Sequence, residues 1–210
     1  MLISFEEINR ILVSNNIHIN GSFHIGAHEC EEIDFYKQLG LKLEDIVWID
    51  AILSNVTKAK NRGIPNVYNA LITDKDNEKV VLNVSNNVQS SSILELGTHS
   101  QEHPWVVYVG KLIQNSITVD TFFERNNIDA SKYDFWNIDI QGAELMALKG
   151  ATKSIKYAKA LYLEVNEKEL YKKCALITDI DTFLLQYNFK RVSTNMTTHG
   201  WGDALYILNN

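Results

Sequence analysis

Two acids at the ends of apolar runs are the residues of this chain best placed to do chemistry. In Tyr133 to Ile140 the apolar run carries Asp139 near its C-terminal end. A small-residue turn follows, and a helix then opens with Glu144 in its first turn. Open α/β sheets bind ligands at the carboxyl ends of their strands, so Asp139 is expected to face a site rather than a core. A second strand-turn-helix unit is Ser22-Phe23-His24-Ile25-Gly26-Ala27-His28, and Asp50 closes the run Ile46 to Ile49. Two such units far apart in sequence predict one crevice assembled from both.

The turn at Gly26 brings backbone N–H groups toward a ligand ahead of a helix. It has one glycine where a pyrophosphate-binding loop has three, so a dinucleotide is disfavoured. A nucleoside without phosphate fits better, and S-adenosylmethionine is one. Asp50 lies near the ~20-residue spacing at which an acid accepts both ribose hydroxyls. Its plain structural alternative is to cap the helix expected at Asn55 to Asn61. On the acceptor side, Asp139 is expected either to take a hydroxyl proton or to fix the amino group of the cofactor. Glu144 has the alternative of interacting with the helix dipole. Glu164, at the end of the next strand, and Asn166 are expected to bind acceptor hydroxyls. His199, Trp201 and Asp203 are expected together in a hairpin loop, with His199 a second catalytic candidate. Trp201 alternatively packs that hairpin on the core. Ser91, Ser92 and His99 lie in a polar stretch that could close over the acceptor, with His103 nearby. No metal is expected; Mg²⁺ is compatible with the acids but not called for.

These residues need an α/β frame to position them. The 210 residues suit one domain, with 45% apolar and 22% charged residues. The net charge of −6 argues against binding nucleic acid or an anionic membrane. No apolar stretch reaches the ~20 residues of a membrane span, and no signal peptide is evident. Two cysteines, Cys30 and Cys174, make no disulfide framework, so a reducing, cytoplasmic setting is expected.

Ser4 and Glu7 form a capping-box pattern for a helix to Val13 inside an N-terminal extension, residues 1–20. Strands are expected at Phe23 to Ile25, Ile46 to Ile49, Val67 to Ile72, Lys79 to Val84, Ser116 to Val119, Phe135 to Ile140, Ala160 to Val165, Phe189 to Thr194 and Ala204 to Leu208. Helices are expected at Glu31 to Leu39, at Thr121 to Asn126 capped by Asp120, at Ala143 to Lys149 and at Ile177 to Tyr187. Residues 85–115 are expected as a lid or acceptor loop. The last two strands leave no room for the dozen-residue crossover of a parallel pair and must be antiparallel. A mostly parallel sheet closed by such a hairpin is the arrangement of Rossmann-like methyltransferases.

The residues then reach a resemblance. His24-Ile25-Gly26-Ala27-His28, Trp48-Ile49-Asp50-Ala51, Asn69-Ala70-Leu71-Ile72-Thr73-Asp74, Ser90-Ser91-Ser92-Ile93-Leu94, Ile138-Asp139-Ile140-Gln141-Gly142-Ala143-Glu144 and Gly200-Trp201-Gly202-Asp203-Ala204-Leu205-Tyr206 resemble the FkbM family of S-adenosylmethionine-dependent methyltransferases. They run through nearly the whole chain. The resemblance implies a class I methyltransferase fold with a seven-stranded sheet, and O-methylation of sugar or secondary-metabolite hydroxyls. In the first motif Cys30 stands where most relatives have a second glycine. The cofactor is expected on His24, Gly26, Ala27, His28, Asp50, Ala51, Asn69, Ala70, Asp139, Ile140 and Gln141. The acceptor is expected to be a glycan or small molecule, with the chain whole or one domain of a larger glycan-modifying enzyme. The competing readings are a non-catalytic binding module on this fold and a nucleotide-dependent oxidoreductase, against which the single glycine speaks.

Overall fold

Short apolar runs become strands here, and their order in space decides where a ligand can sit. The computed structural model describes residues 1–209. The strands are β1 (Ser22–Ile25), β2 (Ile46–Asp50), β3 (Val67–Asn69), β4 (Leu71–Ile72), β5 (Lys79–Ser85), β6 (Tyr108–Ile117), β7 (Phe135–Ile138), β8 (Ala160–Asn166), β9 (Phe189–Met196) and β10 (Trp201–Leu208). The helices are α1 (Phe5–Ser14), α2 (Ile33–Gln38), α3 (Leu53–Asn61), α4 (His99–Glu102), α5 (Val119–Arg125), α6 (Glu144–Lys149) and α7 (Ile177–Leu185).

Seven strands form one sheet in the order β3-β2-β1-β7-β8-β10-β9. Neighbours from β3 through β8 pair parallel, and β10 pairs antiparallel with both β8 and β9. This is the class I methyltransferase arrangement expected from the sequence. From β1 the chain winds outward through β2 and β3, then returns to the other side of β1 with β7. The order therefore reverses between β1 and β7, and open α/β sheets bind ligands at such a switch point. A smaller sheet, β4-β6-β5, stands beside the main one.

β1, β2 and β7 are buried at every residue, as parallel strands covered on both faces must be. Alternate side chains go to opposite faces. Phe23, Val47, Ile49, Trp136 and Ile138 join one core with Phe122, Phe123 and α7. Ile46, Trp48 and Phe135 join the other with Tyr36 and with Ile8, Ile11 and Leu12 of α1. Each large apolar side chain so buried contributes about 1.5–3 kcal/mol.

Several boundaries differ from expectation. The segment Val67 to Ile72 is two strands, because Ala70 N donates to Asp50 O while Leu71 and Ile72 pair with Ser116 and Ile117 of the small sheet. The strand expected at Ser116 to Val119 begins eight residues earlier, at Tyr108. Its residues are mostly exposed and pair antiparallel with β5, so it has ladder bonds without an apolar stripe. The interval 85–115 is thus strand from Tyr108 onward. Thr118, not Asp120, caps α5: its Oγ1 accepts from Thr121 N at 3.1 Å, and Asp120 accepts from Lys153 N and Ser154 N instead. The capping box of α1 is one-sided, since Ser4 Oγ accepts from Glu7 N while Glu7 Oε1 accepts from Ser193 Oγ at 2.6 Å. α2 starts at Ile33 rather than Glu31, α3 starts at Leu53 rather than Asn55, and α6 starts at Glu144 rather than Ala143. β7 stops at Ile138, leaving Asp139 and Ile140 in the turn. Trp201 and Asp203 belong to β10, not to the hairpin loop.

The start of β1 is held by Asp134, whose buried carboxylate accepts from Asn20 N at 2.9 Å and Asn20 Nδ2 at 2.7 Å and pairs with Lys159 Nζ at 2.7 Å. Removing it strands these donors. Asp134→Ala is expected to cost about 2–4 kcal/mol, read as a lower urea midpoint at unchanged m-value.

Candidate active site

The turn that follows β1 is built from alternating left-handed residues: Gly26 (φ +87), His28 (φ +43) and Cys30 (φ +61). The glycine is obligatory on two counts. Its φ disfavours a side chain, and a Cβ there would lie 1.7 Å from Asp139 O. Gly26 N and Ala27 N both donate to Ile49 O at 2.9 Å, so the turn folds over the end of β2. Asp50 completes it. Its Oδ2 accepts from His28 N at 2.8 Å, and its Oδ1 accepts from Ile52 N at 2.7 Å and Asn55 Nδ2 at 3.3 Å. Burial raises the Asp50 pKa and these donors oppose the rise. Asp50 therefore braces the turn and the start of α3 while also facing the crevice.

The turn after β7 meets the first one. Asp139 N donates to Ile25 O at 3.0 Å. Gln141 (φ +56) and Gly142 (φ +96) are left-handed, and a Cβ on Gly142 would sit 2.9 Å from Cys174 Cβ. Glu144 reaches back from α6, and its Oε1 accepts from Ile140 N at 2.9 Å and Gly142 N at 3.1 Å. Gln141 Nε2 donates to Asp139 Oδ1 at 2.7 Å and to Glu164 Oε2 at 2.6 Å, and its Oε1 accepts from Tyr171 OH at 2.5 Å. Strained backbone of this kind persists only where the surroundings hold it, and it clusters at functional sites.

Between the two turns lies a cavity of about 490 Å³, inside the range of small-molecule sites. Asp50 and Asp139 both line it, so the central expectation from the sequence holds geometrically. Of the expected cofactor residues, Gly26, Ala27, His28, Ala51, Ala70, Ile140 and Gln141 also line it. His24 and Asn69 do not. His24 is buried between Trp48 and Tyr36, with Nδ1 3.1 Å from Tyr36 OH, and burial lowers its pKa to about 4. Asn69 Nδ2 donates to the carbonyls of Asp50 and Ala51 from outside.

Of the expected acceptor residues, Ser91, His99, Glu164, Trp201 and Asp203 line the cavity. Asp203 also accepts from Leu2 N and Tyr162 OH. Ser92 instead bolts the loop to the second turn, donating to Gln141 O at 2.7 Å. Glu144 holds that same turn from beneath it. Asn166 is buried away from the cavity, and its side-chain amide has no partner among the described residues. His199 stands behind His103, rings 4.7 Å apart, with Nδ1 2.8 Å from Glu102 Oε2. It does not line the cavity.

Sequence reasoning missed Tyr171, Glu32, Leu82 and Trp105, all of which line the cavity. None carries a local signal, since each arrives from a loop or from the small sheet. His103, noted beside His99 in the sequence, also lines it. The two histidines stand four apart, and their rings lie 5.0 Å from each other.

Asp139, Glu144 and Glu164 each bring a carboxylate oxygen within 4.8 Å of the others. Such a group could attract a cation, but Gln141, Ile140 and Gly142 already supply it with N–H donors. Burial and the neighbouring charges hold Glu164 well above the usual carboxylate range, and burial lifts Glu144 to about 7. No described helix is long and apolar enough to cross a membrane.

A family model, the methyltransferase FkbM domain, matches residues 9–191. The chain belongs to that family, a family of S-adenosylmethionine-dependent methyltransferases. No curated protein matches it. Among solved structures, it is similar to magnesium protoporphyrin IX methyltransferase (ChlM) from Synechocystis PCC 6803 with bound SAM. That match has 12% identity and a TM-score of 0.47 over 98% of this chain and 78% of the other. The same enzyme with bound SAH gives 12% and 0.48 over 98% and 81%. A SAM-dependent methyltransferase from Aquifex aeolicus gives 12% and 0.42 over 99% and 91%. At such values the likeness says nothing of what this chain binds.

The Glu144 carboxyl makes a stability prediction. Folded, it keeps its proton up to about pH 7; unfolded, it loses it near 4.5. Between those values the fold binds a proton that the unfolded chain does not, so this group's contribution to stability falls as pH rises. Glu144→Gln keeps an oxygen for Ile140 N and Gly142 N and removes the titration. Urea midpoints at pH 5 and pH 7.5 are expected to fall less between the two pH values in the variant than in the parent.

Proposed function

We propose that the chain is an S-adenosylmethionine-dependent O-methyltransferase whose acceptor is a sugar hydroxyl on a glycan or glycoconjugate. The observation that carries this is the convergence of Asp50 and Asp139, from two distant strand ends, on one cavity in a chain of the FkbM family. The residues present fit the donor. Asp50 has lone pairs left beyond its three protein bonds for ribose hydroxyls. Gly26 lets the first turn close against the backbone of Asp139 at the cavity's edge, and Ala70, Leu71, Ile72 and Leu82 give apolar walls for a base. When bound, the donor supplies a methyl group already activated on a sulfonium.

The protein's task is then to position the acceptor oxygen, to exclude water and to take a proton. Asp139 is the cavity carboxylate placed at the switch point for that last role, with a base typically contributing ~10²–10⁴-fold. The far end of the cavity offers Trp105, Trp201, His99 and His103, flat faces beside polar groups that suit the C–H surface of a sugar ring. The segment from Ser85 to Val107 arches over the acceptor as a cover, tied down by Ser92. The free thiols of Cys30 and Cys174 fit a reducing compartment, and we place the reaction in the cytoplasm. The same reading allows the chain to serve as the transferase unit of a larger glycan-modifying enzyme.

Calorimetry is expected to show binding of both S-adenosylmethionine and S-adenosylhomocysteine, weakened at least about tenfold by Asp50→Ala. Failure of folded protein to bind either removes the proposal. With the donor present, mass spectrometry of glycan pools is expected to show a gain of one methylene on a sugar. Asp139→Asn is expected to lower that turnover by ~10²–10⁴-fold.

A further inference from the structure

Gln141 is the side chain that ties the acids of the second turn together. Both N–H groups and the carbonyl of its amide are used inside one cluster, the two N–H groups on two different carboxyl groups and the carbonyl on Tyr171 OH. Its own carbonyl accepts from Ser92 Oγ, so backbone and side chain are both pinned, at a left-handed φ. An amide donating to Asp139 Oδ1 and Glu164 Oε2 leaves Asp139 Oδ2 and Glu164 Oε1 as the free oxygens of two adjacent carboxyl groups. Glu164 is buried, whereas Asp139 is exposed to the cavity.

We infer that Asp139 and Glu164 work as one pair holding a single proton, with Gln141 as the positioning residue that keeps the pair assembled. The inference rests on the reading of Asp139 as the proton acceptor and adds two partners to it. Two carboxylates this close cannot both be charged at little cost, and the one removed from water keeps the proton. Glu164 is therefore the acid and Asp139 carries the charge into the cavity.

The groups facing the pair reinforce this. Glu144 from α6, Asp203 from β10, Glu32 ahead of α2 and the Tyr171 hydroxyl all disfavour a second negative charge, and His24 from β1 is buried and neutral. In the transfer step the acceptor O–H bond breaks as its oxygen forms the new O–CH₃ bond. The S–CH₃ bonding pair returns to sulfur, and the proton goes to Asp139. Glu164 stays protonated throughout and donates to the charged Asp139 beforehand.

Side-chain carboxyl ¹³C NMR titration of the full chain tests this without any acceptor. In the parent protein the Glu164 carboxyl is expected at its protonated position at pH 7. Asp139→Asn, which removes the charge beside it, is expected to lower the Glu164 midpoint by a unit or more. Gln141→Glu keeps the shape and the Tyr171 bond but replaces a donor by an acceptor, and is expected to raise that midpoint. A Glu164 carboxyl ionised at pH 7 in the parent overturns the pair, and this needs no variant to fold. A midpoint indifferent to both substitutions, in variants whose amide spectra show the native fold, overturns it too. S-adenosylhomocysteine calorimetry on the parent separates the two levels. Binding retained with a failed titration removes the pair alone; a pair that titrates as expected without binding removes the methyltransferase reading alone.

Discussion

The contact on which the rest of the molecule depends is the one between two turns, where Gly26 lies against the backbone of Asp139. A side chain at residue 26 would need to occupy the space of Asp139 O. The closeness is imposed by the sheet, because β1 and β7 are neighbours in register and both end at the same edge. With the turns in contact, Asp50 and Asp139 must flank one crevice. Pulling the turns apart would cost the Asp139 N to Ile25 O bond and the left-handed geometry that aims Gln141.

Around that contact the protein concentrates acidic side chains. Asp50, Asp139, Glu164 and Asp203 line the cavity together with Glu31 and Glu32, and no lysine or arginine does. Crowding acids at low solvent exposure opposes folding, since each must be desolvated. The structure answers with donors rather than with counter-ions: backbone N–H groups on Asp50 and Glu144, and a side-chain amide on Asp139 and Glu164. Neutral donors satisfy these carboxyl oxygens without bringing positive charge into the cavity, while burial favours the protonated forms of Glu164 and Glu144. The small sheet adds Leu71, Ile72 and Leu82 to the cavity wall, and the loop between β5 and β6 adds Ser91, His99 and Trp105.

Legibility followed the range of the interactions involved. The buried parallel strands were readable because burial on both faces leaves an unbroken apolar run, as in Ile46 to Ile49. The antiparallel end was readable because the segment between β9 and β10 is too short for any crossover. β6 was not readable, since its order comes from pairing with β5 and its residues face solvent. The split at Ala70 and the cap at Thr118 were likewise decided by partners distant in sequence, Ser116 and Ile117 in one case and the placement of Asp120 against Ser154 in the other. Among candidate residues, Asp50, Asp139 and Glu164 were legible by their position near strand ends, and all three line the cavity. His24 and His199 do not line it, because residue type alone does not say which side of a strand or which layer of a loop a side chain occupies.

The sequence by itself determined the strand ends, the single-glycine turn and the hairpin, because these follow from local sterics and from the period of apolar residues. It thereby determined that acids would sit where such sheets bind ligands. Only the tertiary structure decided which acids share a proton's reach, that a glutamine joins them, and that an unpatterned tyrosine completes the join. Those outcomes depend on distances between residues tens of positions apart in the chain. No local rule sets such distances; they are fixed when the sheet closes and the turns come together.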